Sequence, residues 1–113
     1  METAAGLIKL KPDTAGDLQE WRDTLDARRD DVLETLHNEG VTIESWFQID
    51  VDGQPYLLWF MQAESIARAR EVFLSSDHAI DAYHLEKMTK MADAQIEANS
   101  LLNLSIDRYH GRE

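Results

Sequence analysis

Cysteine is absent from the 113-residue chain, which excludes disulfide bridges, thiolate metal ligands and cysteine nucleophiles. Long apolar runs are absent too, since no stretch reaches the roughly 18 residues of a membrane span. The N-terminal residues lack the basic segment followed by an apolar one that is typical of a secretory signal. We therefore expect a cytoplasmic protein that has no membrane partner.

Basic residues are scarce, with 11 lysines and arginines against 22 aspartates and glutamates, which gives a formal net charge of −11. Such a surface repels phosphate backbones and anionic lipids, so nucleic acid is not an expected partner. A solvated acidic surface is the plain interpretation, and a high-salt cytoplasm is one reason for it. Only five glycines occur, and none is placed to form a phosphate-binding loop. We expect a single domain over residues 1–113, long enough to bury about two-thirds of its unfolded surface.

A β-hairpin is the strongest local signal in the sequence. Asp52-Gly53 is a typical two-residue turn, and the residues on both sides of it alternate in polarity. With this turn at the centre, Trp46 pairs with Trp59 on one face of the hairpin. The residues that share this face are Glu44, Gln48, Leu57 and Met61. The opposite face carries Ile43, Phe47, Ile49, Tyr56, Leu58 and Phe60 and is predicted to be the core, which leaves the tryptophan face uncovered by helices.

The remaining patterns predict the order β-α-β-β-α-α-β. The predicted strands are residues 6–11, 41–50, 56–61 and 99–109, and the predicted helices are 14–38, 64–74 and 77–96, the last capped by Asp77. Right-handed crossovers place the helices on the same face of a four-stranded antiparallel sheet. The fold class is therefore α+β, a ferredoxin-like split βαβ fold. Because the other face is left open, we expect a homodimer in which two sheets pack together.

Several segments carry a resemblance to known proteins. They are GVTIESWF at 40–47, YLLWFM at 56–61, ARAR at 67–70 and SDHAID at 76–81. In these segments the chain resembles a small, uncharacterised prokaryotic family of the dimeric α+β-barrel superfamily. Better-known proteins of similar architecture are the rhamnose-type sugar mutarotases, the antibiotic-biosynthesis monooxygenases and the haem-degrading monooxygenases. The resemblance implies a dimeric α+β barrel, and it implies a fold more than an activity.

Glu44 and His84 are the candidate acid and base. Glu44 lies two residues before Trp46, and a carboxylate beside apolar surface loses part of the preference for its charged form. Lys9, on the predicted open face of the first strand, is a candidate ligand contact, or it could hold Glu44 in a plain ion pair. A ligand cleft is predicted on the face of Trp46 and Trp59. His84 is of a residue type whose unperturbed pKa lies near neutrality, and it would act if its helix edge faces this cleft.

Trp46 and Trp59 are candidate ligand contacts because flat indole surfaces stack on sugar faces and aromatic rings, although they could equally pack in a dimer interface. Arg29 falls within the apolar stripe of the first helix and could bind a carboxylate or an anionic ligand, or extend to solvent. Tyr83 lies beside His84 and could orient a substrate.

A metal site is not expected. His78, Asp81 and His84 are three residues apart, and such steps drift by about 60° each around a helix, so the two histidines do not share one ion easily. No cofactor is expected either. The sequence leaves open whether the protein is an enzyme. One hypothesis is a homodimer whose tryptophan-lined cleft binds a small cyclic molecule or converts it, by acid–base chemistry or by oxidation without a cofactor. The alternative is a binding or structural dimer in which the tryptophans only form the interface.

Overall fold

The computed structural model describes residues 1–106 and Gly111. Four strands and four helices follow one another as β1 (Glu2–Leu10), α1 (Ala15–Ala27), α2 (Arg29–Glu39), β2 (Val41–Val51), β3 (Gln54–Ala63), α3 (Ile66–Leu74), α4 (Ala79–Met91) and β4 (Ala92–Glu97). The strands form one sheet in the order β2-β3-β1-β4, with every neighbouring pair antiparallel. The α+β, ferredoxin-like fold predicted from the sequence is confirmed. Among the described residues, no helix has the length and apolar character needed to cross a membrane.

The hairpin between β2 and β3 has the predicted register. Asp52 and Gly53 both adopt positive φ angles, of 52° and 79°, as a type I′ turn requires. Val51 pairs with Gln54 beside the turn, and the register places Trp46 opposite Trp59. The turn chemistry therefore fixes which side chains share a face along the whole hairpin.

The first helical region is two helices rather than the single predicted helix. The chain turns at Arg28, where φ is −106° and ψ is 35°. After this turn α2 packs against α3, whereas α1 packs against α4. α2 ends at Gly40 in the left-handed conformation, whose N–H donates to the carbonyls of Leu36 and His37, as the sequence predicts for a glycine at this place.

The prediction that the tryptophan face is uncovered is wrong. Trp46 and Trp59 pack on the core between the sheet and its own helices, whereas Phe47 on the opposite face is 56% exposed. The buried residues of this core are Ile8, Leu10, Trp21, Leu57, Met88 and Met91. Both faces of the hairpin are rich in apolar residues, so alternation alone did not decide which one the helices cover. β1 decides it, because Ile8 and Leu10 must be buried and the Lys9 between them must face outward.

The last strand lies earlier in the chain than predicted. α4 ends at Met91 instead of near residue 96, and β4 begins at once, with Ile96 paired to Leu7 of β1. The predicted strand over 99–109 falls partly outside the described residues, and its described part, 99–106, has no regular secondary structure. Leu102 and Leu104, which the predicted strand would bury, are 76% and 81% exposed. Backbone pairing with β1 therefore overrides the weak strand pattern of residues 92–97.

Gly6 provides a test of how Trp59 is seated. A Cβ atom at position 6 would lie 2.7 Å from the carbonyl oxygen of Ile96 and 2.9 Å from Nε1 of Trp59, too close for either to remain in place. We predict that Gly6→Ala lowers the free energy of unfolding by about 1–3 kcal/mol, as overpacking usually does. Urea titration followed by tryptophan fluorescence measures this change.

Gly16→Ala is the matched control, because nothing lies within 4 Å of its added Cβ and the residue is in a helix. This variant should be as stable as the parent protein or slightly more stable. Equal urea midpoints for the two variants would contradict the close seating of Trp59 on β1.

Candidate functional site

A cavity of about 950 Å³ lies between the inner face of the sheet and the helices. The indoles of Trp21, Trp46 and Trp59 form much of its apolar wall. Trp21 on α1 meets Trp46 on β2 edge to face, with ring centroids 5.2 Å apart. A cavity of this size, with aromatic walls and a few polar groups, is typical of a site for a small molecule.

His84 on α4 is held in the cavity wall by Trp21. The indole Nε1 of Trp21 donates a hydrogen bond to Nδ1 of His84 over 3.0 Å. The ring of His84 also contacts Trp46 and Phe73, with centroid distances of 5.6 Å and 6.0 Å. Because Nδ1 accepts, the neutral imidazole carries its proton on Nε2. Desolvation lowers the pKa of His84 to about 4, against an opposing effect of Asp81, so at neutral pH this side chain is an uncharged donor through Nε2.

Besides Asp26, three carboxyl groups line the same cavity: Glu39 at the end of α2, Glu44 on β2 and Asp81 on α4. Burial, followed by repulsion from Asp81 and Glu44, raises the pKa of Glu39 to about 7. Burial is also the main cause that raises the pKa of Glu44 to about 6, while a hydrogen bond from the side chain of Trp46 acts in the opposite direction. Near neutral pH the cavity therefore offers both a protonated carboxyl group and an ionised one.

The structure brings five of the residues singled out in the sequence to one cavity: Glu44, Trp46, Trp59, His84 and Arg29. Of these, Arg29 is the most open to solvent, since its side chain is 71% exposed and pairs with Asp26. Of the alternatives given for Arg29 in the sequence analysis, the structure shows the one in which the side chain extends to solvent.

Lys9 and Tyr83 lie elsewhere. The register of β1 places Lys9 on the outer face of the sheet, where its Nζ lies 3.7 Å from a carboxylate oxygen of Asp93. The expected ion pair with Glu44 is therefore wrong, because the sheet separates the two side chains. Tyr83 is directed towards α1, with its hydroxyl 3.5 Å from the carbonyl oxygen of Glu20, and it does not line the cavity.

Sequence reasoning missed Glu39, the cavity role of Asp81 and the hydrogen bond from Trp21. A signal for Glu39 exists, since it follows Val32 and Leu36 at helical spacing on the apolar side of α2. An ionisable residue in such a stripe is a candidate for a perturbed pKa. The contact between Trp21 and His84 had no local signal, because 63 residues separate the two positions.

His78 and His84, the two histidines singled out in this segment, have different partners. His78, rather than the predicted Asp77, caps the helix, because its Nδ1 accepts the N–H of Ile80 over 3.3 Å. Potential ligand atoms of His78, Asp31 and Glu34 lie within 4.8 Å of one another. The capping bond leaves the proton of neutral His78 on Nε2, the atom that faces Glu34 at 3.6 Å. The helix cap and the contact with Glu34 thus hold His78 in this cluster.

The raised pKa of Glu39 makes the stability of the protein depend on pH. A carboxyl group whose pKa is raised by folding stabilises the folded state below its unfolded pKa, and this contribution is lost as pH rises through its folded value. We predict that Glu39→Gln removes the contribution of Glu39, which lowers the stability of the parent protein as pH rises from about 4.5 to about 7. Urea midpoints measured across this range test the prediction. Parallel pH curves for the two proteins would contradict it.

Comparison with known proteins identifies the family. No curated protein sequence matches the chain. Among solved structures, an L-rhamnose mutarotase from Formosa agariphila is similar with a TM-score of 0.63 and 16% sequence identity, over 93% of this chain and 100% of that one. At this identity the likeness shows the fold alone. Residues 1–110 match the family described as Family of unknown function (DUF6176), and the chain therefore belongs to that family.

Proposed function

We propose that this protein catalyses proton transfer on a small, neutral, cyclic molecule, and that its reaction is the opening and reclosing of a sugar ring. The observation that carries the proposal is the meeting of carboxyl groups that titrate near neutral pH with a neutral imidazole in one aromatic cavity. Acid–base catalysis is most efficient when the groups involved titrate near the working pH. The proposal gains support from the similar fold of the L-rhamnose mutarotase, which acts on a sugar.

Ring opening of a cyclic sugar needs one base and one acid. The base removes the proton of the anomeric hydroxyl, the bond between the anomeric carbon and the ring oxygen breaks, and the acid protonates that oxygen. Rotation of the resulting aldehyde and reversal of the two proton transfers give the other anomer. We assign the base to Glu44, whose pKa of about 6 leaves it mostly ionised at pH 7, and the acid to Glu39, whose pKa of about 7 keeps half of it protonated there.

In this scheme His84 acts as a hydrogen-bond donor. Its pKa of about 4 makes the neutral ring a weak base, and Nδ1 is already occupied by Trp21. The Nε2–H group can donate to a sugar oxygen and stabilise the negative charge that develops when the anomeric hydroxyl loses its proton. The sequence predicts Glu44 and His84 as the acid and base. In this scheme Glu44 is the base, whereas His84 donates a hydrogen bond and transfers no proton.

The walls of the cavity fit an uncharged ligand. Trp46 and Trp59 offer flat surfaces for the apolar face of a sugar ring. The charged lining residues are four acidic side chains and three arginines, namely Asp26, Glu39, Glu44, Asp81, Arg22, Arg29 and Arg70. This balance does not favour an anionic substrate. The alternative role of the tryptophans, as a dimer interface, is disfavoured because α1 and α4 cover them.

The homodimer remains part of the proposal, with a different contact surface from the one predicted. The outer face of the sheet, which carries Phe47, Ile49 and Val51 at 43–56% exposure, is the apolar surface that a second copy would cover. The cytoplasmic location likewise stays a prediction.

The first test is anomer exchange measured by NMR magnetisation transfer on a panel of neutral aldoses that includes L-rhamnose. We expect catalysis by the parent protein and a loss of about 10²-fold or more in Glu44→Gln, because removal of a general base typically costs this much. Glu86→Gln on the exposed side of α4 is the control and should retain full activity. Equal rates for the two variants, or no exchange above the uncatalysed rate with any sugar, would contradict the proposal.

The second test concerns the proton of His84. We predict that Trp21→Phe, which keeps an aromatic ring but removes the indole N–H, frees Nδ1 and produces a mixture of imidazole tautomers. The ¹⁵N chemical shifts of His84 report this change directly. Trp59→Phe is the control. In this variant the ¹⁵N shifts of His84 should remain those of a single tautomer protonated at Nε2. A single tautomer in both variants would show that Trp21 does not select it.

A further inference from the structure

The cavity extends along the whole of α2. Glu39 at the end of this helix and Arg29 at its start both line the cavity, and ten steps of an α-helix rise about 15 Å. One sugar ring with its hydroxyl groups is shorter than this. The volume of about 950 Å³ is also near the upper end of the range for drug-sized ligands. A single sugar ring therefore leaves part of the cavity for another group.

Burial along α2 distinguishes a closed end of the cavity from an open end. Glu39 and Thr35 are buried, whereas Leu33 is 54% exposed, and all three line the cavity. The side chain of Arg29, at the start of the helix, is more exposed still. A residue that lines a cavity and is also open to solvent lies at its opening. The closed end is thus at Glu39, and the opening is near Leu33 and Arg29.

Two other helices show the same gradient. On α3, Ala69 is buried and Leu74 is 76% exposed, and on α4, Asp81 is buried and Leu85 is 51% exposed. All four residues line the cavity. Single exposed leucines are common on protein surfaces, but here three helices each place one at the same cavity. We call Leu33, Leu74 and Leu85 the opening leucines.

The groups of the proposed chemistry belong to the closed end. Glu39 and Asp81 are buried there, and repulsion from Asp81 and Glu44 contributes to the raised pKa of Glu39, which indicates that the three carboxyl groups are neighbours. The charge of Asp81 also acts on the pKa of His84. Hydrogen-bonding groups are thus concentrated at this end, where a sugar ring finds partners for its hydroxyl groups.

The positive charges that line the cavity are already paired. Among the described residues, the arginines of the lining are Arg22, Arg29 and Arg70. Their guanidinium groups pair with Asp23, Asp26 and Glu97, in that order. These carboxylates balance the arginine charges, so the opening does not present a net positive charge to an anionic group. Its apolar surface, the opening leucines, is what a ligand can bury there.

We propose that the substrate is a reducing sugar that carries an apolar substituent on the side of the ring opposite its anomeric carbon. The sugar ring occupies the closed end, where its anomeric hydroxyl meets Glu44, and the substituent lies among the opening leucines. Removing both apolar surfaces from water stabilises the complex. This inference rests on the proposed function and adds the class of sugar on which the protein acts.

The test compares two ethers of each aldose in the panel used for anomer exchange. The 4-O-hexyl and 4-O-methyl ethers both keep a free anomeric hydroxyl, and their substituent lies across the pyranose ring from the anomeric carbon. Isothermal titration calorimetry measures the affinity of each ether. We expect the hexyl ether of the preferred aldose to bind at least about 30-fold more tightly, because each buried CH₂ group contributes about fourfold.

Matched variants locate the hexyl chain. The double variant Leu33→Gln/Leu85→Gln should reduce the advantage of the hexyl ether about tenfold, because the chain then meets polar side chains, and should leave the affinity for the methyl ether unchanged. Leu101→Gln is the control, since Leu101 is exposed but does not line the cavity. Urea midpoints check that the variants remain folded. An undiminished hexyl advantage in the double variant would contradict the proposed position of the substituent.

Anomer exchange separates this inference from the proposed function. Equal affinities and equal kcat/KM values for the two ethers would overturn the apolar substituent, leave the ring-opening reaction, and assign the opening leucines to a contact with another protein. Tighter binding of the hexyl ether without anomer exchange in any aldose would contradict the reaction and support the apolar site at the opening. No binding of any hexyl ether would overturn the inference.

Discussion

The contact of Trp21 with His84 and Trp46 joins three elements of the fold at one point. Trp21 belongs to α1, Trp46 to β2 and His84 to α4, and their ring centroids lie 5.2–5.9 Å apart. This junction sets the distance between the helices and the sheet, and so maintains the cavity. It also positions the chemistry, because the indole of Trp21 holds His84 and the indole of Trp46 lines the cavity together with Glu44.

Burial sets the pKa values of the carboxyl groups and of His84 in the cavity. A carboxyl group in water would be ionised at neutral pH, whereas the cavity shifts Glu39 and Glu44 to pKa values of about 7 and 6. The same loss of water keeps His84 neutral. A reaction with two coupled proton transfers requires side chains that are partly protonated at neutral pH, and this apolar cavity contains them.

The sequence predicted the parts of this arrangement that depend on local chemistry. The Asp52-Gly53 turn predicted the pairing of Trp46 with Trp59, and the same register places Glu44 on the face of the hairpin that carries the two tryptophans. The covered face could not be found in the hairpin, because both of its faces are apolar. β4 was misplaced because residues 92–97 contain one large apolar side chain, Ile96, whereas the exposed C-terminal segment has the stronger strand pattern. The hydrogen bond from Trp21 to His84 joins distant elements, which a single sequence does not reveal. Glu39, by contrast, lies in the apolar stripe of α2, and this signal in the sequence was missed.

The central claim is that the cavity holds carboxyl groups that retain protons near neutral pH. The most direct measurement is an NMR titration of the side-chain carboxyl carbons of Glu39 and Glu44. The account predicts midpoints near 7 and 6, with each group responding to the titration of the other. Midpoints of about 4.5 for both groups, the ordinary range for glutamate, would contradict it.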